Sequence, residues 1–266
     1  MSVITRNNVS EFGHGPAIML AHGFGCDKTM WQHILPDLAR DHRVVSYDLT
    51  GFGASDLDAY DFERHGSLDG HVRDLIEIMD TLHIDQATLV GHSISASMVM
   101  LAAERLGPRA SGVVMVSPSP RFIDDPATGY EGGFSMEDID GLLVFMEENH
   151  LGWSMQMAPT IAGQSPEAPE AVKLTQSFCQ TDPRIARHFG RLTFHSDQRE
   201  ALSRSTCPSL ILHCLHDTLV PQSVADWMQR NVPQSEVAFL DVSGHCPHMT
   251  APDKTINAIR GFLDRR

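Results

Sequence analysis

The chain is short of positive charge. Its 266 residues hold 20 lysines and arginines against 34 aspartates and glutamates, a formal net charge of −14. Such a surface repels phosphate backbones and anionic lipid, which sets nucleic acid aside as a partner. No run of about 18 apolar residues is present, so no membrane span is expected. The first eight residues lack the apolar stretch of a secretory signal. Cysteine is sparse: Cys26, Cys179, Cys207, Cys214 and Cys246 are odd in number and scattered, without a CxxC pair. Free thiols in a reducing cytoplasm are the expectation. Clustered metal ligands are scarce too. His213, Cys214 and His216, and His245, Cys246 and His248, come nearest, and neither group has a known zinc-ligand spacing, so no metal is expected. Internal repeats and low-complexity tracts are missing.

What is present is alternation. Short apolar runs at 17–21, 44–47, 87–90, 112–116, 209–214 and 237–240 alternate with longer helical patterns, which implies a parallel sheet of βαβ units. The runs are apolar almost throughout, as strands covered by helices on both faces must be. In 68–82, Leu68, Val72, Leu75, Ile76, Met79 and Leu82 recur at three- and four-residue steps and make one apolar stripe. Pro252-Asp253 announces a last helix with Ile256, Ile259 and Phe262 on its buried face. Residues 2–12 are expected to form an antiparallel edge hairpin. Between about 120 and 200 the alternation fails. Prolines separate helical pieces at roughly 135–149, 151–158, 167–180 and 184–195, with no strand-like run. The expectation is a core of residues 1–120 and 197–266 with a four-helix cap, 121–196, inserted over the carboxyl ends of the strands, where open α/β sheets bind ligands.

Four motifs fall at those strand ends. Gly91-His92-Ser93-Ile94-Ser95 joins a strand to a helix from about 94 to 106, so Ser93 is raised on a tight turn as a nucleophile would be; Ser95 stands where a glycine is usual. The plainer alternative for Ser93 is a helix N-cap. His22-Gly23-Phe24-Gly25 follows the first run, and the backbone N–H groups of Phe24 and Ile94 are the candidate oxyanion donors. His22 itself is read as a brace for the loop backbone. Asp217 begins the loop after 209–214. His245 follows the glycine after 237–240, with His248 a lower-ranked rival base because it lies past the turn. The order Ser, Asp, His is that of α/β-hydrolases, and not of chymotrypsin- or subtilisin-like proteases. Tyr47 to Ser55 reads as a structural loop. The roles follow: Ser93 attacks a carbonyl, His245 takes its proton, and Asp217 orients the imidazole, with no cofactor required. The cap is rich in aromatic and sulfur side chains, among them Phe134, Met136, Met146, Trp153, Met155, Met157, Phe178, Phe189 and Phe194. About half of these belong to the cap's own core, and the rest line an apolar pocket suited to a small, largely apolar ester or lactone.

The chain resembles a known family at these positions. Gly91 to Met98, His22 to Asp27, Ser55-Asp56-Leu57 with Tyr60-Asp61, Ser117 to Phe122, Gly132-Gly133-Phe134 and Gly244 to Met249 are similar to the RsbQ-like bacterial stress-regulator hydrolases and to their plant relatives, the strigolactone and karrikin receptors. The likeness covers nearly the whole chain. It implies an α/β-hydrolase fold, a mostly parallel sheet flanked by helices with a four-helix cap, and the triad Ser93, Asp217 and His245. It carries over Phe24, Phe134, Trp153, Phe178 and Phe194 as pocket positions, with Met157 where an aromatic would be expected. It also implies two kinds of activity: slow hydrolysis, and ligand sensing through a partner protein such as a signalling phosphatase.

Overall fold

The computed structural model describes residues 1–265. All six sequence-predicted strands form: β2 (Ala17–Ala21), β3 (Arg43–Tyr47), β4 (Ala87–His92), β5 (Ala110–Val116), β6 (Ser209–His216) and β7 (Ser235–Ser243). With the short β1 (Ser10–Phe12) they make one seven-stranded sheet in the order β1-β3-β2-β4-β5-β6-β7. Every pairing is parallel except β1 with β3. β4 is buried along its whole length, as a central strand covered on both faces must be.

The expected hairpin at 2–12 is corrected. Val3–Arg6 is a turn of helix, and only Ser10–Phe12 is strand, paired antiparallel to β3 with Ser10 opposite Ser46. Two interactions that local pattern does not reveal favour the helical turn. Ser2 caps it through the Thr5 N–H, and Arg6 reaches the carboxylates of Asp74 and Glu77 across the fold.

Helix α1 (Leu68–Thr81) buries Leu68, Val72, Leu75 and Met79, the expected stripe. Helix α2 (Ile94–Leu106) leaves β4 through Ser93 and packs against β4 and β5. Between β5 and β6 come four longer helices: α3 (Met136–Glu148), α4 (His150–Ala162), α5 (Pro169–Gln180) and α6 (Pro183–His195). Helix α3 starts at a capping box of Ser135 and Asp138, and α6 starts with Asp182 accepting from two backbone N–H groups. Helix α4 runs past Pro159, one turn beyond the expected end, and stops at Gly163, which is left-handed (φ +63°). Helices α7 (Gln222–Asn231) and α8 (Pro252–Leu263) complete the sheet's flanks. Among the described residues, no helix is long and apolar enough to cross a membrane.

Candidate active site

Ser93 sits at the turn from β4 to α2 with φ +56° and ψ −123°, a conformation that side-chain-bearing residues rarely hold. The turn is tight enough that a Cβ on Gly91 would stand 2.2 Å from the Ser95 carbonyl oxygen. The Ser93 side chain makes no capping bond to the helix. Its Oγ lies 2.9 Å from His245 Nε2 instead, which removes the N-cap alternative. On the far side of the ring, His245 Nδ1 lies 2.9 and 3.0 Å from the two Asp217 oxygens. A carboxylate only accepts, so Nδ1 carries the proton and donates, leaving the Nε2 lone pair to accept from the Ser93 hydroxyl.

The sheet sets these positions. Asp217 follows the end of β6, where the β6–β7 register shifts between Cys214 and His216, and its Oδ1 accepts from the N–H groups of Leu219 and Val220 at 2.8 and 3.1 Å. His245 follows the end of β7 through Gly244, also left-handed at φ +88°. The rival His248 is fully buried, and among the described residues neither of its ring nitrogens has a partner. Its ring lies tilted against Trp31 at 4.5 Å, and burial pushes its pKa down to about 3.

The glycine loop is braced as expected. His22 Nε2 accepts from the Leu49 N–H at 2.9 Å, and its Nδ1 lies 2.9 Å from the Gly23 carbonyl, so one neutral ring ties two loops. Burial lowers its pKa, more than Asp48 raises it. Ser95, in place of the usual glycine, donates to the His22 carbonyl at 2.5 Å and so fastens the start of α2 to this loop. Among the described residues, the backbone N–H groups of Phe24 and Ile94 have no protein acceptor. Open donors are what a developing oxyanion requires, and Phe24 lines the same cavity as Ser93.

A cavity opens on the Ser93–His245 pair. Its wall includes Phe24, Trp153, Phe178 and Phe194, four of the expected positions. Phe24 makes an edge contact with Trp153 at 5.9 Å, and Trp153 stacks on Phe178 at 5.4 Å. Phe134 and Met157, also expected there, are not among the described lining residues. The Phe134 backbone is bonded to Phe122 and Asp124, and Phe122 supplies the ring instead. Met157 is half-buried against the core, while Trp153 and Ile161, one turn either side of it, take the wall. Phe122, Ile161, Leu174, Thr193 and Leu219 escaped the sequence reading, as did the thiols of Cys26 and Cys246. Both thiols line the cavity, and burial pushes their pKa values up, which leaves them poor nucleophiles.

Neither histidine–cysteine group brings its side chains together as metal ligands among the described residues. The side chains that do converge are His65, His71 and Asp74, beneath α6. There Asp74 is already held by the Arg6 and Arg64 guanidiniums, whose charge opposes a cation.

Proteins of similar sequence include plant esterases and receptors. A strigolactone esterase of Pisum sativum is 37% identical over 94% of this chain and 94% of its own. A karrikin insensitive 2 receptor of Petunia hybrida is 36% identical over 93% of this chain and 90% of its own. Among solved structures, a hydrolase from Oleispira antarctica superposes with a TM-score of 0.95 at 35% identity, covering 99% of this chain and 97% of that one. The expected kinship with the plant receptors is borne out. Residues 18–258 match the alpha/beta hydrolase family, and the chain belongs to it.

Proposed function

We propose that the protein is a serine hydrolase that cleaves a small, largely apolar ester or lactone. Ser93 attacks the carbonyl carbon while His245 Nε2 takes its proton, and Asp217 stabilises the imidazolium that results. The N–H groups of Phe24 and Ile94 hold the oxyanion. The imidazolium then protonates the leaving alkoxide. A water molecule, deprotonated by His245, releases the acyl group from Ser93. Residues 121–196 act as a cap that supplies most of the apolar wall and keeps bulk water from the acyl-enzyme. No cofactor takes part.

One observation carries this reading: the unbroken chain Asp217–His245–Ser93, with contacts of 2.9 Å at both steps, ending in an aromatic cavity. The cavity also supports a ligand with oxygen beyond the scissile bond. Thr193 Oγ1 and Trp153 Nε1 are buried without a protein partner among the described residues, and a ligand oxygen would relieve that cost. A panel of small esters and lactones, followed by product release and by melting temperature, tests the reading. Hydrolysis that stops after covalent labelling of Ser93 by a fluorophosphonate is the expected result. A labelled enzyme that still turns over sinks it.

A second reading has one observation in its favour, the likeness to proteins named as receptors. In that reading the same site captures a ligand and signals through a partner protein such as a phosphatase. About one slow cycle with ligand retained favours sensing, whereas many cycles favour the plain enzyme. The free thiols suit a cytoplasmic setting for either.

A further inference from the structure

The backbone of His245 is gripped from two sides. Its N–H donates to the Ile161 carbonyl at 2.7 Å, and its own carbonyl accepts from His92 Nε2–H at 2.9 Å. His92 serves as a neutral donor, because burial and the facing His248 and His245 rings push its pKa well down. Ile161 lies in the last turn of α4, where helix carbonyls have no partner within the helix. The loop that carries the histidine supplies the missing donor.

Two glycines make that approach possible. A Cβ on Gly163 would stand 2.5 Å from Gly244 N and 2.6 Å from Gly244 Cα. A Cβ on Gly244 would stand 2.3 Å from the Ala162 carbonyl oxygen. The end of α4 and the His245 loop therefore meet backbone to backbone. The same helix presents Trp153 and Ile161 to the cavity. One rigid element thus touches both the space a ligand fills and the group that would activate the serine.

We propose that the carboxyl end of α4 is the seat of the general base, with Gly163 as its positioning residue. Ligand pressure on Trp153 and Ile161 is passed through the Ile161 carbonyl to the distance between His245 and Ser93. A ligand that fits without moving α4 is turned over. One that displaces α4 is bound and held, because the base leaves its hydrogen-bonding position. This rests on the reading of Ser93, His245 and Asp217 as the catalytic set.

Gly163→Ala tests it against Gly129→Ala. Both glycines are left-handed, at φ +63° and +69°, but a Cβ on Gly129 meets nothing within 4 Å, so it carries the backbone strain without the contact. With p-nitrophenyl acetate, Gly129→Ala should match the wild type. Gly163→Ala should lose about 10²-fold in kcat, as an ångström-scale misplacement does, with KM little changed and fluorophosphonate labelling of Ser93 slowed in parallel. A folded Gly163→Ala enzyme with wild-type kcat overturns the proposal. If that variant fails to fold, amide hydrogen exchange on the wild type decides: protection of the His245 N–H comparable to that of α4 amides supports the seat, and exchange at loop rates overturns it. A wild type that neither hydrolyses esters nor labels at Ser93 removes the catalytic set instead, and the exchange measurement still judges the seat on its own.

Discussion

Among the described residues the molecule holds two buried histidine–aspartate pairs, and their surroundings differ. His245 meets Asp217 at 2.9 Å, and His65 meets Asp74 at 3.2 Å. Distance and burial hardly separate them. Their remaining partners do. Asp74 also accepts from Arg6, Arg64 and Thr50, so its charge is spent on two guanidiniums. Burial alone would raise its pKa, yet the bonds from His65 and Thr50 and the charge of Arg6 hold it well below the usual carboxylate range. Asp217 accepts from two backbone N–H groups and His245, with no arginine. The other nitrogen of His65 is tied to the Asp61 backbone, whereas that of His245 faces a serine and a cavity. On the proposed reading, the pair that acts on substrate is the one whose charge has no guanidinium beside it and whose second nitrogen meets a hydroxyl.

The largest effect should come from the nucleophile. Ser93→Ala or His245→Ala is expected to lower kcat on a short p-nitrophenyl ester by on the order of 10⁶, with the fold intact by circular dichroism. Equal hydrolysis by purified wild type and Ser93→Ala would erase the contrast between the pairs. The next effect separates them directly. Asp217→Asn should cost about 10⁴ in kcat with little change in melting temperature. Asp74→Asn should leave kcat within a few-fold and cost on the order of 3 kcal/mol in stability, because it strips Arg6 and Arg64 of their shared anion. The reverse pattern, with activity tracking Asp74, would mean that the roles are misassigned.

Acid should weaken both regions alike. His71, beside Asp74, and His248, near His245, are each held neutral by burial, with pKa values pushed down to about 3. The unfolded chain takes up these protons near pH 6.5 and the folded one does not. The stabilisation is therefore full above about pH 6.5 and is lost as pH falls toward 3, at about 1.4 kcal/mol per pH unit for each histidine. Urea midpoints at pH 7, 6 and 5 should fall accordingly, and midpoints independent of pH would contradict the neutral-ring assignment. The smallest effect concerns the cavity. Trp153→Ala should raise KM for a bulky apolar ester about tenfold and barely alter that for an acetate. Phe189, 5.0 Å from His71 and stacked behind the wall residue Phe24 at 6.2 Å, should change stability more than KM when truncated.

The contact of Ser93, Asp217 and His245 was legible in the sequence because each follows a strand whose apolar run is unmistakable, so position along the sheet and residue chemistry point the same way. The His65–Asp74–Arg6 network offered no such coincidence. Its members sit mid-helix, in a loop and near the N-terminus, and only the folded chain brings Arg6 across to α1. That long-range pairing is also why the hairpin at 2–12 was misjudged. The cavity was half legible. Aromatics on regular helices, Trp153 and Phe178, were found by composition and resemblance. Phe122 and Leu219 lie in connecting segments whose course depends on how the inserted helices fold back, and the backbone pairing of Phe134 with Phe122 is one that no periodicity signals.

The outer edge of β7 has a consequence for self-association. This nine-residue strand ends the sheet among the described residues, with Phe239 40% exposed, and a bare edge of that length is a template for a second strand. Asp241 and the Glu236–Arg265 ion pair place charge along it, and Lys254 donates to the Asp241 carbonyl, occupying an acceptor that an intruding chain would need. The register shift beside Cys214 and His216 bends the far end out of line. On a chain with a net charge of −14, two such edges repel before they can pair, so concentrated solutions should remain free of edge-to-edge aggregates until salt or acid removes that repulsion.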